Sequence, residues 1–156
     1  AEAVANFAAR VAMKLRRQQS VAGYVSVFIH ENPFTVERPY CPSVTVPLPV
    51  ATSATPELIH YAQAGLRRIF RSGLQYKKAG VIVGDLRPEG AVQLGMFDQA
   101  DPRKATLMAT MDLLNARYGR DAVRLAAQGN DRAWRMRQEN KSARYTTRWN
   151  ELMTIG

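Results

Sequence analysis

The sequence predicts an α+β fold: a split βαβ arrangement without its first strand, followed by a small mixed helix-and-strand tail. Apolar residues recur at helical spacing near the N-terminus and again around Ala62. Three stretches rich in β-branched residues carry strand patterning around Val27, Val46 and Ile82. The resulting order is helix, strand, strand, helix, strand, which is βαββαβ lacking its opening strand. A sheet short of one member leaves unpaired edge groups. The chain is therefore expected to begin inside a domain, and exchange of a strand between two copies would satisfy the free edge.

The first helix is expected over residues 3–19, where Val4, Phe7, Ala8, Val11 and Leu15 form one apolar stripe. Arg16 and Arg17 suit the negative pole at its C-terminal end. Those two arginines read either as a solvated helix end or as phosphate contacts. Residues 21–31 read as a strand, with Val21, Val25, Val27 and Ile29 alternating against Ala22, Ser26, Phe28 and His30. Asn32-Pro33 breaks it. A second strand is expected over 40–48, with Val44, Val46 and Leu48 on one face. Pro39, Pro42, Pro47 and Pro49 remove donors there and mark an edge strand.

Thr55 reads as the N-cap and Pro56 as the first residue of a second helix. This helix is expected to run to about Phe70, burying Ile59, Ala62, Leu66, Ile69 and Phe70, with Gly73 stopping it. A third strand is expected over 76–86 around Val81-Ile82-Val83. Arg67 to Arg87 holds six basic residues and one acid, Asp85. Asp101-Pro102 should start another helix, with Leu107, Met111, Leu114 and Tyr118 on its stripe and Gly119 closing it. Residues 121–127 read as a short strand. The final stretch interleaves Trp134, Tyr145 and Trp149 with arginines and Lys141. That composition suits single-stranded nucleic acid, and suits equally a tail anchored to the rest of the chain by its tryptophans.

The 156 residues suffice for one ordinary domain with a small appendage, and 46% hydrophobic content can fill its core. Lys and Arg total 22 against 13 Asp and Glu, a formal net charge of +9. That excess favours an anionic partner, nucleic acid before membrane. The single cysteine, Cys41, cannot close an internal disulfide; with no signal peptide and no long apolar run, a reducing cytoplasmic setting is expected. Two histidines and one cysteine do not make a zinc site. Asp85, Glu89, Asp98, Asp101, Asp112 and Asp121 are scattered and form no metal-binding pair. No glycine-rich phosphate loop or nucleophile elbow is present. Catalysis by this chain alone is not expected, nor is any cofactor.

Gln93-Leu94-Gly95-Met96-Phe97 lies between Pro88 and Pro102 with a glycine at its centre. One reading is an accessible extended peptide: Leu94, Met96 and Phe97 fill a partner's pockets while Gln93 hydrogen-bonds. The other is a short edge strand packed onto its own domain.

Several blocks together resemble the C-terminal part of the UmuC family of error-prone Y-family DNA polymerases, the family of the catalytic subunit of DNA polymerase V. They are Val25-Ser26-Val27-Phe28-Ile29 with Asn32-Pro33-Phe34, Tyr76-Lys77-Lys78-Ala79-Gly80, Gln93-Leu94-Gly95-Met96-Phe97-Asp98, Trp134-Arg135-Met136 and Tyr145-Thr146-Thr147-Arg148-Trp149. The resemblance covers nearly the whole chain. It implies a little finger domain over 1–88 that lacks its first strand and grips the DNA backbone, a clamp-binding linker over 89–101, and a UmuC-type tail over 102–156. Gln93, Leu94, Met96 and Phe97 would dock on the β sliding clamp. Gly95 and Met96 make a looser version of that motif. The resemblance further implies a cytoplasmic bacterial protein that joins the nucleoid when acting, in SOS mutagenesis and DNA repair, with a UmuD dimer and RecA as partners. The catalytic carboxylates and magnesium ions of such polymerases sit in a palm domain to which no part of this chain corresponds.

Lys77, Lys78 and Arg38, with Arg16 and Arg17 behind them, are the expected DNA-backbone contacts, since phosphate contacts position a duplex without reading its sequence. The competing reading is an independent basic α+β nucleic-acid-binding protein with no clamp involved. A free-standing enzyme is the third.

Overall fold

The structure is a computed structural model and describes residues 1–34, 37–91, 102–130, 134 and 142–151. Helix α1 (Glu2–Arg17) leads into strand β1 (Ser20–Glu31), followed by β2 (Ser43–Thr52), α2 (Thr55–Ile69), β3 (Tyr76–Pro88) and α3 (Pro102–Tyr118). The strands form one antiparallel sheet in the order β2-β1-β3. The predicted α+β order is therefore observed, and β2 is at a sheet edge as its prolines demand. Among the described residues, the outer edge of β3 has no neighbouring strand.

Alternation along β1 divides the sheet into two faces. Val25, Val27 and Ile29 point to the core, where they meet Val44, Val46 and Leu48 of β2 and Ala79, Val81 and Val83 of β3. Helices α1 and α2 cover this face. On α1 the buried residues are Val4, Ala5, Ala8, Ala12 and Leu15, while Phe7 and Val11 are only half-buried. The larger residues suggested a stripe, but the alanines let the helix approach closely. Gly65 serves the same end on α2, where an added methyl would press on Val44 and Val46. Helix α2 buries Leu58, Ile59, Ala62, Leu66 and Ile69; Phe70 lies beyond the helix end and is exposed.

Several expected boundaries shift. Strand β2 starts at Ser43, although ladder-like bonds reach back to Tyr40, whose carbonyl accepts from the Glu31 amide at 3.2 Å. The N-cap of α2 is Ala54 rather than Thr55, and Thr55 is buried with its hydroxyl accepting from Arg16. On α3 the buried face carries Met108 and Met111, while Leu107 and Tyr118 point outward. Gly119 follows the helix with φ 101°, the left-handed conformation that glycine adopts freely. No strand forms over 121–127: Asp121 takes φ 68° and a 3-10 turn spans Ala126–Gln128.

The segment after residue 101 lies against the helical layer, away from the open sheet face. Arg16 forks onto Asp112 at 2.6 and 2.7 Å. Lys104 reaches Glu57 at 2.8 Å. The buried Asn6 amide donates to the Gln128 carbonyl at 2.7 Å. The Trp134 ring meets Phe7 edge-on at 5.6 Å. Trp134 thus anchors the tail, whereas Trp149 is 90% exposed and does not. Among the described residues no helix is long and apolar enough to cross a membrane.

Candidate nucleic-acid interface

The face of the sheet opposite the helices carries Tyr24, Ser26, Phe28 and His30 from β1, with Ser43 and Thr45 of β2 beside Phe28 and Ser26. From β3 it carries Lys78, Gly80, Ile82 and Gly84. Among the described residues no helix covers it. The Ser26 and Thr45 hydroxyls hydrogen-bond at 2.6 Å. Phe28 lies over Gly80 and Tyr24 over Gly84, so closely that a Cβ on either glycine would overlap the ring. Both rings therefore lie flat across β3, and the face stays level. Gly80→Val is expected to displace the Phe28 ring and cost about 1–3 kcal/mol of stability, measurable by urea unfolding; an unchanged midpoint would contradict this packing.

At the end of the sheet where β1 finishes and β3 begins, basic and aromatic side chains gather. Lys78 pairs across from His30. The Lys77 ammonium sits 5.7 Å from the centre of the Phe34 ring, and Phe34 is 88% exposed. Arg71 stacks over Tyr40 at 4.1 Å. The Tyr40 hydroxyl donates to the Ile69 carbonyl at the end of α2, and its amide donates to the buried Glu31 carboxylate at 2.8 Å. Tyr76 closes the turn before β3, its hydroxyl accepting from the Arg71 amide at 2.9 Å. Arg38, Arg67 and Arg68 are exposed at the same end. Tyr40 with Glu31, and Tyr76 with the Arg71 amide, brace two connections at this end, the one that enters β2 and the one that enters β3, and the cations lie beside them as a rim.

The structure thus brings together three of the five expected DNA-contacting residues, Arg38, Lys77 and Lys78. It separates the other two. Ser20 and His30 are ten residues apart on β1, about 33 Å in an extended strand, and Arg16 and Arg17 lie at the Ser20 end. Arg16 is not a surface cation: besides Asp112 it donates to the Ser53 carbonyl at 2.8 Å and to Thr55 Oγ1 at 2.9 Å. Its donors are engaged within the fold, between α1, the start of α2 and α3. Arg17 is exposed on the helical side. Arg71, Arg67 and Arg68 belong to the rim although sequence alone did not place them there; the basic run from Arg67 to Arg87 was the available signal. Gln93, Leu94, Met96 and Phe97 lie outside the described residues. Among the described residues no group of three or more His, Cys, Asp or Glu is placed to hold a metal ion.

Comparison with known proteins bears on this arrangement. Residues 1–96 match the impB/mucB/samB family C-terminal domain, and residues 105–155 match a domain of unknown function, DUF4113. Protein UmuC of Salmonella typhimurium is 38% identical over 157 aligned residues, covering 99% of this chain and 37% of that protein. Protein MucB of Escherichia coli is 40% identical over 154, covering 97% of this chain and 36% of its own length. Protein ImpB of Salmonella typhimurium is 36% identical, with the same coverage. The chain spans a little over a third of the length of these relatives.

Proposed function

The chain belongs to the impB/mucB/samB family, whose C-terminal domain it carries, and from that premise we propose that it is the non-catalytic C-terminal portion of an error-prone translesion DNA polymerase. It grips the DNA backbone with the rim of Arg38, Lys77 and Lys78 and docks on the β sliding clamp through Gln93, Leu94, Met96 and Phe97. The observation that carries the DNA-binding part is the rim itself: basic side chains on braced connections beside a sheet face that, among the described residues, no helix covers. Such contacts are blind to sequence, as copying past a lesion requires. Nucleotidyl transfer and its magnesium ions belong, in this reading, to the remainder of the polymerase. The β clamp, a UmuD dimer and RecA are the partners this reading carries, in the bacterial cytoplasm.

The clamp arm is tested by calorimetric titration of the chain against a bacterial β sliding clamp, beside a Leu94→Ala/Phe97→Ala variant. Saturable micromolar binding that disappears in the variant is the expected result, because two apolar anchors carry most of the energy of such a short peptide. Equal binding by both would remove Leu94 and Phe97 from the proposal; absence of binding by either would remove the clamp. The latter result would favour the second reading, an independent basic nucleic-acid-binding protein, which the rim supports equally well.

A further inference from the structure

We propose that the groove between α1 and the segment that follows residue 101 is a docking site for an acidic segment of a partner protein. The groove has a volume of about 580 Å³ and lies on the helical side of the molecule, away from the open sheet face. Its floor is apolar and soft, with Met13 from α1 and Met111 from α3 among its residues. Unbranched thioether side chains re-pack around differently shaped apolar groups. A volume of this size accepts one or two apolar side chains of a docked peptide.

Five cations and two carboxylates line the groove. Arg16 and Asp112 neutralise one another, and Arg10 and Asp121 are each engaged in interactions of their own. Lys14, Arg17 and Arg120 remain exposed, with no ion pair among the described residues. The surplus is positive, so the complementary occupant is negative. Nucleic acid fits less well than a peptide. Among the described residues no aromatic ring lines the groove to stack a base, and an apolar floor below a charged rim matches carboxylates flanking an apolar anchor. The groove depends on the Arg16–Asp112 pair, because that fork holds α3 beside α1. The family segment of unknown function thereby acquires a role: together with α1 it builds a protein-docking surface that neither would form alone.

The test is methyl NMR of the whole chain labelled at its methionines. The probes are a short peptide of Glu and Leu, its Gln-for-Glu counterpart, and oligo-dT of the same length. The acidic peptide is expected to shift the Met13 and Met111 methyls and leave Met108, which lines a separate hollow beside α2, in place. The Gln peptide should bind about tenfold more weakly, as expected for the loss of a few exposed ion pairs. Lys14→Glu/Arg17→Glu/Arg120→Glu should weaken the acidic peptide at least as much while the Met108 resonance stays at its folded position. Unshifted Met13 and Met111, equal affinity for the two peptides, or shifts produced by oligo-dT instead would each overturn the proposal. The two-peptide comparison needs no variant, so a misfolded triple variant would not leave the question open.

Discussion

Arg16→Ala is expected to lower the unfolding free energy by about 2–4 kcal/mol, as breaking a largely buried ion pair does. The side chain is 13% exposed and Asp112 30%. One guanidinium joins three parts of the chain: the end of α1, the Ser53 carbonyl with the Thr55 hydroxyl at the start of α2, and Asp112 on α3. Its removal strands a half-buried carboxylate and leaves the buried Thr55 oxygen without this donor, and unsatisfied groups cost more than the bonds gained in making them. Asp112→Ala leaves Arg16 two of its acceptors and should cost less. Arg16→Lys keeps the charge but cannot fork onto the carboxylate, so it should restore only part of the stability. Urea unfolding followed by circular dichroism measures all three. A change below about 1 kcal/mol for Arg16→Ala would mean a pair no stronger than an ordinary surface bridge.

Lys77→Ala/Lys78→Ala is expected to weaken duplex DNA binding equally across sequences. It should also flatten the salt dependence by about one to two in the logarithmic slope, one for each phosphate no longer neutralised. Lys78 projects from the open face beside His30, and Lys77 is held over Phe34. Arg17→Ala should leave the slope unchanged, since Arg17 stands at the far end and on the helical side. Fluorescence anisotropy at several salt concentrations reads both variants. An unchanged slope for the lysine pair would move the DNA to another surface.

Much of the fold was legible because its period was strong. The alternation through Val25, Val27 and Ile29 predicted both the strand and its buried face. The prolines of β2 predicted an edge, because an imide nitrogen cannot donate to a ladder. Helix α1 was legible from its large apolar residues, yet Ala5, Ala8 and Ala12 are fully buried; small residues give little periodic signal. The expected strand over 121–127 failed because Asp121 takes a left-handed turn and Gln128 folds back onto Asn6. A contact between residues so far apart in the chain has no local signature.

The basic rim was half legible. Lys77-Lys78 follows the turn after α2, and a run of charge is visible in any sequence. That Arg38 and Arg71 join it while Arg16 does not depends on the direction of β1, which carries the chain about 33 Å between the two groups. An arginine in the last turn of a helix looks the same whether it faces solvent or a carboxylate 96 residues later. The order of elements, the apolar faces of the strands and the excess of positive charge follow from local residue patterns, because each is a property of neighbours in the chain. Which cations stand free, which tryptophan anchors the tail, and that α1 and α3 enclose a groove follow from the folded chain alone. Those outcomes depend on distances between segments remote in sequence, and burial and pairing are set across such distances.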